Sequence, residues 1–213
     1  LEEPEAHLHP SAVKAMAVLL KRMNGQKLVT THSGHLVAGV DLFSLRRLRR
    51  KNGEIRVFQL PRNLLSDEEI RKLNYHVRAT RGDLLFARCW LLIEGETEYL
   101  IFNECARILG YDLYAEGIFC VEYTHSGPEP LLKFANAMGI DWYFVADGDN
   151  AGQIYTGTAN DYLNGRPPDR HIFTLPDEGD IEVVLCQAGY VEVYENVKSP
   201  QKEQKNPIIA SPG

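Results

Sequence analysis

The chain has 213 residues, a formal net charge of −6, 44% hydrophobic and 24% charged residues, which suits one well-packed globular core or one domain with an appendage. No apolar run approaches the roughly 20 residues of a membrane-spanning helix and no signal-peptide pattern is read, so no membrane partner and a cytoplasmic, bacterial-type protein are expected. Cys89, Cys105, Cys120 and Cys186 are scattered without a CxxC pair, which fits a reducing compartment better than a disulfide framework. Charge is unevenly placed. Residues 44–88 hold 12 Lys or Arg against 5 Asp or Glu, a net of +7, which leaves −13 for the remainder. Such a basic segment is either a solvated face or a contact for a nucleic-acid backbone.

The chain opens on LEEPEAHLHP without a methionine and reads as a piece of a longer polypeptide. Pro10 near a first turn, with Val13, Ala17 and Leu20 at core spacing, predicts a helix ending near Asn24-Gly25. KLVTT (27–31) predicts a short strand running into His32-Ser33. His7 with His9, and His32 with His35, have spacings that zinc sites also use, but no cysteine lies nearby and a surface or capping role is favoured. Leu42–Arg50 and Glu54–Leu60 flank Lys51-Asn52-Gly53, a hairpin signal because the favoured turn needs φ > 0 at both central residues. Arg46, Arg47, Arg49, Arg50 and Arg56 decorate it, and Arg46, Arg47, Arg49, Arg50 and Lys51 are the candidate DNA contacts. Ser66 with Glu69 forms a capping box for a helix over 66–76, and a second short helix covers 81–88.

From Cys89 onward strands and helices alternate, the pattern of parallel βαβ units. CWLLI (89–93) runs into Glu94, Gly95 and a helix carrying Glu98. Gly117–Tyr123 is the next strand, Pro130–Met138 a helix, and Asp141–Asp147 a third strand that ends in DGDNAG. A helix over 151–163, a Pro/Gly loop over 165–169 and a strand over 171–175 follow, then DEGDIE (177–182) opening a helix through Gln187. The segment from Val197 onward reads as a polar tail. Parallel strands present their ligands beyond their carboxyl ends. Two neighbouring strands that both end in acids would therefore gather Glu94, Glu98, Asp147 and Asp149 in one small space. Carboxylates at such quarters repel unless hard cations lie between them.

Glu94 with Glu98, followed some fifty residues later by Asp147-Gly148-Asp149-Asn150-Ala151-Gly152, resemble the two acidic motifs of a TOPRIM domain, the Mg²⁺-binding fold of topoisomerases, primases and several nucleases. The chain is similar to the OLD family nucleases, in which an ABC-type ATPase precedes the TOPRIM domain. The opening residues resemble a Walker B strand, with Glu2 at the metal-supporting acid, Glu3 at the water-activating glutamate and His32 at the switch histidine. No Walker A motif occurs anywhere, so this chain alone is not expected to hydrolyse ATP.

The resemblance implies an α/β fold with a mostly parallel TOPRIM sheet flanked by helices, preceded by a partial ATPase segment with a basic hairpin. Expected divisions are 1–62 for the ATPase tail, 63–88 for a helical linker, 89–196 for the TOPRIM domain and 197–213 for a tail. It implies a Mg²⁺- or Mn²⁺-dependent endodeoxyribonuclease with two ions, Ca²⁺ being a non-productive substitute. Glu94, Glu98, Asp147 and Asp149 would be catalytic and metal-binding, Glu94 doubling as acid or base. Asp180 and Glu182 would complete the metal site, with Glu182 the first choice; Asp180 serves equally well as a helix cap. ATP would act only in the full-length protein. Expected partners are DNA, the N-terminal ATPase lobe and a second copy in a full-length homodimer. The chain departs from the family habit at Gly127-Pro128, where a lysine is common, and Lys202 and Lys205 are the late basic candidates. Alternative readings are a non-catalytic metal-binding module that dimerises or regulates an ABC-type ATPase, and another TOPRIM chemistry such as that of topoisomerases or primases.

Overall fold

The structure is a computed structural model and describes residues 1–79, 82–176 and 179–192, with the side chains of Lys51, Arg78 and Ala79 left aside. A helical pair, a β-hairpin and a third helix precede the sheet. Helix α1 (Pro10–Arg22) is capped by His9 and packs Val13 and Ala17 against Leu36 of the short α2 (Gly34–Val37). The strand expected over 27–31 is reduced to a single parallel bridge between Glu2 and Thr30. A strand needs a neighbour to satisfy its backbone, and here only one short segment is alongside. Strands β1 (Arg47–Lys51) and β2 (Glu54–Phe58) form the expected antiparallel hairpin around Asn52-Gly53, both at positive φ. The residues before it, Leu42–Ser44, form a 3₁₀ turn rather than strand.

Helix α3 (Asp67–Ala79) begins with the predicted capping box, the Ser66 N–H donating to Glu69 Oε2 and the Glu69 N–H to Ser66 Oγ. The second short helix is a 3₁₀ turn over Asp83–Phe86. A four-stranded parallel sheet follows in the order β4-β3-β5-β6, from β3 (Cys89–Ile93), β4 (Ile118–Glu122), β5 (Asp141–Ala146) and β6 (Ile172–Thr174). The connecting helices are α4 (Glu96–Ile108), α5 (Pro128–Ala137) and α6 (Asn150–Asp161). The Pro/Gly loop expected after α6 ends in one helical turn, α7 (Pro168–His171), which Pro168 starts because its fixed φ suits a first turn. Helix α8 (Ile181–Leu185) and a π turn close the described chain. Asp177, Lys202, Lys205 and the tail lie outside the described residues. Among those described, no helix is long and apolar enough to cross a membrane.

One face of the sheet carries the main core. Trp90, Leu92, Trp142 and Phe144 meet Leu131, Leu132 and Phe134 of α5 and Ala159 of α6, all buried. Trp90 stacks on Phe134 and donates to the Leu84 carbonyl at 2.8 Å. Leu73 and Val77 of α3, with Leu42, Leu60 and Leu65, belong to the same core. The segment expected to be a linker is therefore a packed layer of the sheet domain. Lys133 of α5 secures it, pairing with Glu69 at 2.7 Å.

Arg47 fastens the hairpin to the sheet. Its guanidinium donates to the carbonyls of Met138, Gly139 and Ala87 at 2.8–3.0 Å, and Arg49 reaches Gly139 and Asp141 beside it. All of these acceptors stand at or just before the amino ends of β3 and β5. Arg47→Ala would leave several carbonyls without their charged donor and should lower stability by about 3 kcal/mol, read as a lower urea midpoint at unchanged slope. At the other end, Gly152 lies so close to Asp147 that an added Cβ would stand 2.0 Å from the Asp147 carbonyl oxygen. Gly152→Ala must push α6 off the end of β5 and should cost at least about 2 kcal/mol, measured by thermal melting.

Candidate metal centre

Parallel β3 and β5 are direct neighbours, with Leu92 opposite Phe144. Glu94 and Asp147, two and three residues beyond that pair, therefore leave the sheet side by side. Each is followed by a helix start. Gly95 precedes α4 in an extended conformation, and its N–H donates to Glu98 Oε2 at 2.9 Å. Asp149 caps α6 by accepting from the Gly152 N–H at 2.7 Å. A third segment arrives after β6, where the Gly148 N–H donates to the Gly179 carbonyl at 2.9 Å. Asp180 then caps α8 through the Val183 N–H at 2.9 Å.

The charges of these groups act on one another. Burial, then the carboxylates of Glu94, Glu98, Asp180 and Asp149, push the Asp147 carboxyl up to about 7. Burial raises Glu94 as well, with Asp149 and Glu98 adding to it. Glu94 Oε2 is buried without a hydrogen-bond partner. A buried carboxylate oxygen with no donor is costly, and a cation is the partner such an oxygen suits. Hard oxygen donors of this kind match Mg²⁺, Mn²⁺ or Ca²⁺, so the residue set fits a divalent ion.

As the side chains lie, no three His, Cys, Asp or Glu among the described residues are arranged to hold an ion. Glu98, Asp149 and Asp180 each spend an oxygen on a backbone N–H of their own helix start. A carboxylate has a second oxygen and several lone pairs left after one such bond. Of the two late acids, Asp180 is the one whose charge reaches Asp147; Glu182 sits within the first turn of α8.

The other expected site residues are elsewhere. The hairpin docks at the amino ends of β3 and β5, and β5 alone is six residues long, about 20 Å at 3.3 Å per residue. Arg47 and Arg49 are occupied in docking, and Arg46 donates to the carbonyls of Phe43 and Leu45. Arg50 is exposed, and the Lys51 side chain is outside the described residues. The basic hairpin is therefore not a wall of the acidic cluster. Glu2 and Glu3 do meet the His32 segment: Glu2 bridges Thr30, and Glu3 lies 3.6 Å from His32 Nε2.

Sequence reasoning missed one residue here and left a second, Ser126, as a loop hydroxyl close to the acids. Tyr123, the fully buried residue after β4, bonds to β3 and packs on β5, the acid-bearing strands. Ser126 is buried and donates to the Gly127 carbonyl. Tyr123 has no motif around it; its place as the aromatic ending an apolar strand run was its one signal.

Comparison with known proteins bears on this cluster. Residues 85–149 match the family model described as "Overcoming lysogenization defect protein-like, TOPRIM domain", and residues 1–83 match a family of unknown function, DUF2813. The uncharacterized protein YbjD of Escherichia coli K12 is 38% identical over 91% of this chain and 35% of its own length. The Old nuclease of Escherichia phage P2 is 28% identical, covering 77% of this chain and 30% of its own. The OLD nuclease of Thermus scotoductus is 31% identical, covering 70% and 30%. The chain spans about a third of the length of these relatives. Over residues 85–149, which carry Glu94, Glu98, Asp147 and Asp149, the chain belongs to the OLD-like TOPRIM family.

Proposed function

We propose that this chain carries the catalytic domain of a divalent-metal-dependent DNA endonuclease that hydrolyses phosphodiester bonds. The observation that carries the proposal is the gathering of acids from three separate segments at one end of the sheet, where burial and then their charges lift Asp147 to about 7. Two relatives bear the name nuclease, and TOPRIM domains generally use divalent ions.

Glu94 and Glu98 would hold one ion and Asp147 with Asp149 a second, with Asp180 or Glu182 completing the set. When bound, such ions supply positive charge against the scissile phosphate and make a water acidic enough to attack it. The chain's residues do the remainder. Glu94 accepts a proton from the attacking water at its carboxylate. Glu98, through the Gly95 N–H, fixes the first residue beyond Glu94. Asp149 holds the start of α6 against Asp147 by its cap. The same reading takes 1–62 as the tail of an ABC-type ATPase lobe, 63–88 as a connecting layer, 89–196 as the TOPRIM domain and 197–213 as a tail. ATP, a homodimer and a cytoplasmic setting belong to the longer protein.

Supercoiled plasmid incubated with the chain should be nicked in Mg²⁺ or Mn²⁺ and left intact in Ca²⁺ or EDTA. Asp147→Asn and Glu94→Gln should each lower nicking about 100-fold or more while the melting temperature stays or rises, since each removes a repelled charge. Undiminished nicking by Asp147→Asn would overturn the assignment. Metal binding by the wild-type chain without any nicking would instead support a regulatory metal-binding module.

A further inference from the structure

Beyond Leu92 and Phe144 the register of β3 with β5 stops. That is where the two strands part to leave room for Glu94 and Asp147. The Ala146 carbonyl faces β6 and accepts from the Leu175 N–H at 2.9 Å. Successive carbonyls along a strand point to opposite sides, so the Val145 carbonyl faces β3. It accepts there from a side chain rather than from the backbone of β3: the Tyr123 hydroxyl donates to it at 3.0 Å. The same residue's N–H donates to the Ile93 carbonyl at 2.9 Å. Tyr123 thus grips β3 one residue before Glu94 and β5 two residues before Asp147.

The ring is as constrained as the hydroxyl. It is fully buried, stacks on Phe144 with centroids 4.8 Å apart, and meets Tyr155 of α6 edge-on at 5.3 Å. Helix α6 is the element that Asp149 caps. Through its backbone N–H to β3 and its side chain to β5 and α6, this one residue therefore bonds or touches all the elements that carry Glu94, Asp147 and Asp149, at the place where the ladder between the strands has ended. A side chain only meant to fill the core would need neither the hydroxyl nor its carbonyl partner.

We propose that Tyr123 is a positioning residue of the metal centre, its hydroxyl acting as a strap that sets the separation of the Glu94 and Asp147 strand ends. The role rests on the metal-dependent reading above. Phenylalanine at this position keeps the ring stack and removes only the strap. The strand ends can then relax apart under the repulsion of their own carboxylates.

The test is Tyr123→Phe in the whole chain, with Tyr155→Phe as a control that removes a neighbouring hydroxyl without touching the strands. Mn²⁺ binding is followed by electron paramagnetic resonance titration, alongside melting in EDTA and plasmid nicking across a range of Mn²⁺. For Tyr123→Phe the Mn²⁺ dissociation constant should rise about tenfold, as for other residues that orient ligands from behind. Nicking should require correspondingly more Mn²⁺ and recover at saturation. Tyr155→Phe should bind Mn²⁺ as the wild type does. A purely structural loss would lower melting and would not be rescued by metal. Tyr123→Phe that binds Mn²⁺ like the wild type, or whose nicking fails to recover at saturating Mn²⁺, would overturn the strap while leaving the nuclease reading intact. A wild-type chain that binds no Mn²⁺ would overturn the metal reading and the strap with it.

Discussion

Repulsion between carboxylates is the constraint on which the carboxyl end of this sheet is built. Several acids from three segments influence Asp147 there, and two of them also act on Glu94. Left to themselves such groups would drive the strand ends apart or take up protons. The fold opposes this with backbone-level fastenings: the Asp149 cap, the Glu98 bond to Gly95, and the Gly148 bond to Gly179. Each uses a helix or strand terminus whose N–H groups are otherwise unpaired. The caps therefore do double service, satisfying orphaned donors while restraining the acids.

The close approach of α6 to the end of β5 belongs to the same design. Only a residue without a side chain can lie over the Asp147 carbonyl at that distance. The glycine that closes the second acidic motif thus has a packing reason independent of any ligand: it brings the N-terminus of α6, with its partial positive charge, next to the most strongly perturbed acid.

Much of this was legible in the sequence because it is written in local rules. The apolar runs of β3 and β5 end abruptly in acids, Asn52-Gly53 fixes its hairpin, and Ser66 with Glu69 announces α3. What the sequence did not reveal depends on contacts between distant residues. KLVTT has strand composition, but a strand forms only where a partner satisfies it, and Glu2 opposite Thr30 is too little. The arginines of β1 read equally well as a nucleic-acid surface; that Arg47 and Arg49 are spent on carbonyls some ninety residues away has no signature in composition. Tyr123 looked like the last residue of a buried strand, and nothing nearby announced that its hydroxyl would reach Val145. Asp180 and Glu182 are close enough in sequence that only the start of α8 decides which one Asp147 feels.

The anchorage of the hairpin has a mechanical corollary. Arg47 joins the polypeptide upstream of it to the beginnings of β3 and β5, whereas the acids stand where those strands finish. A displacement originating in residues before the hairpin would thus enter the sheet at its foot and travel along the strands as through stiff rods. It would meet the acids as a change in tilt between two rods rather than as a direct push on any carboxylate.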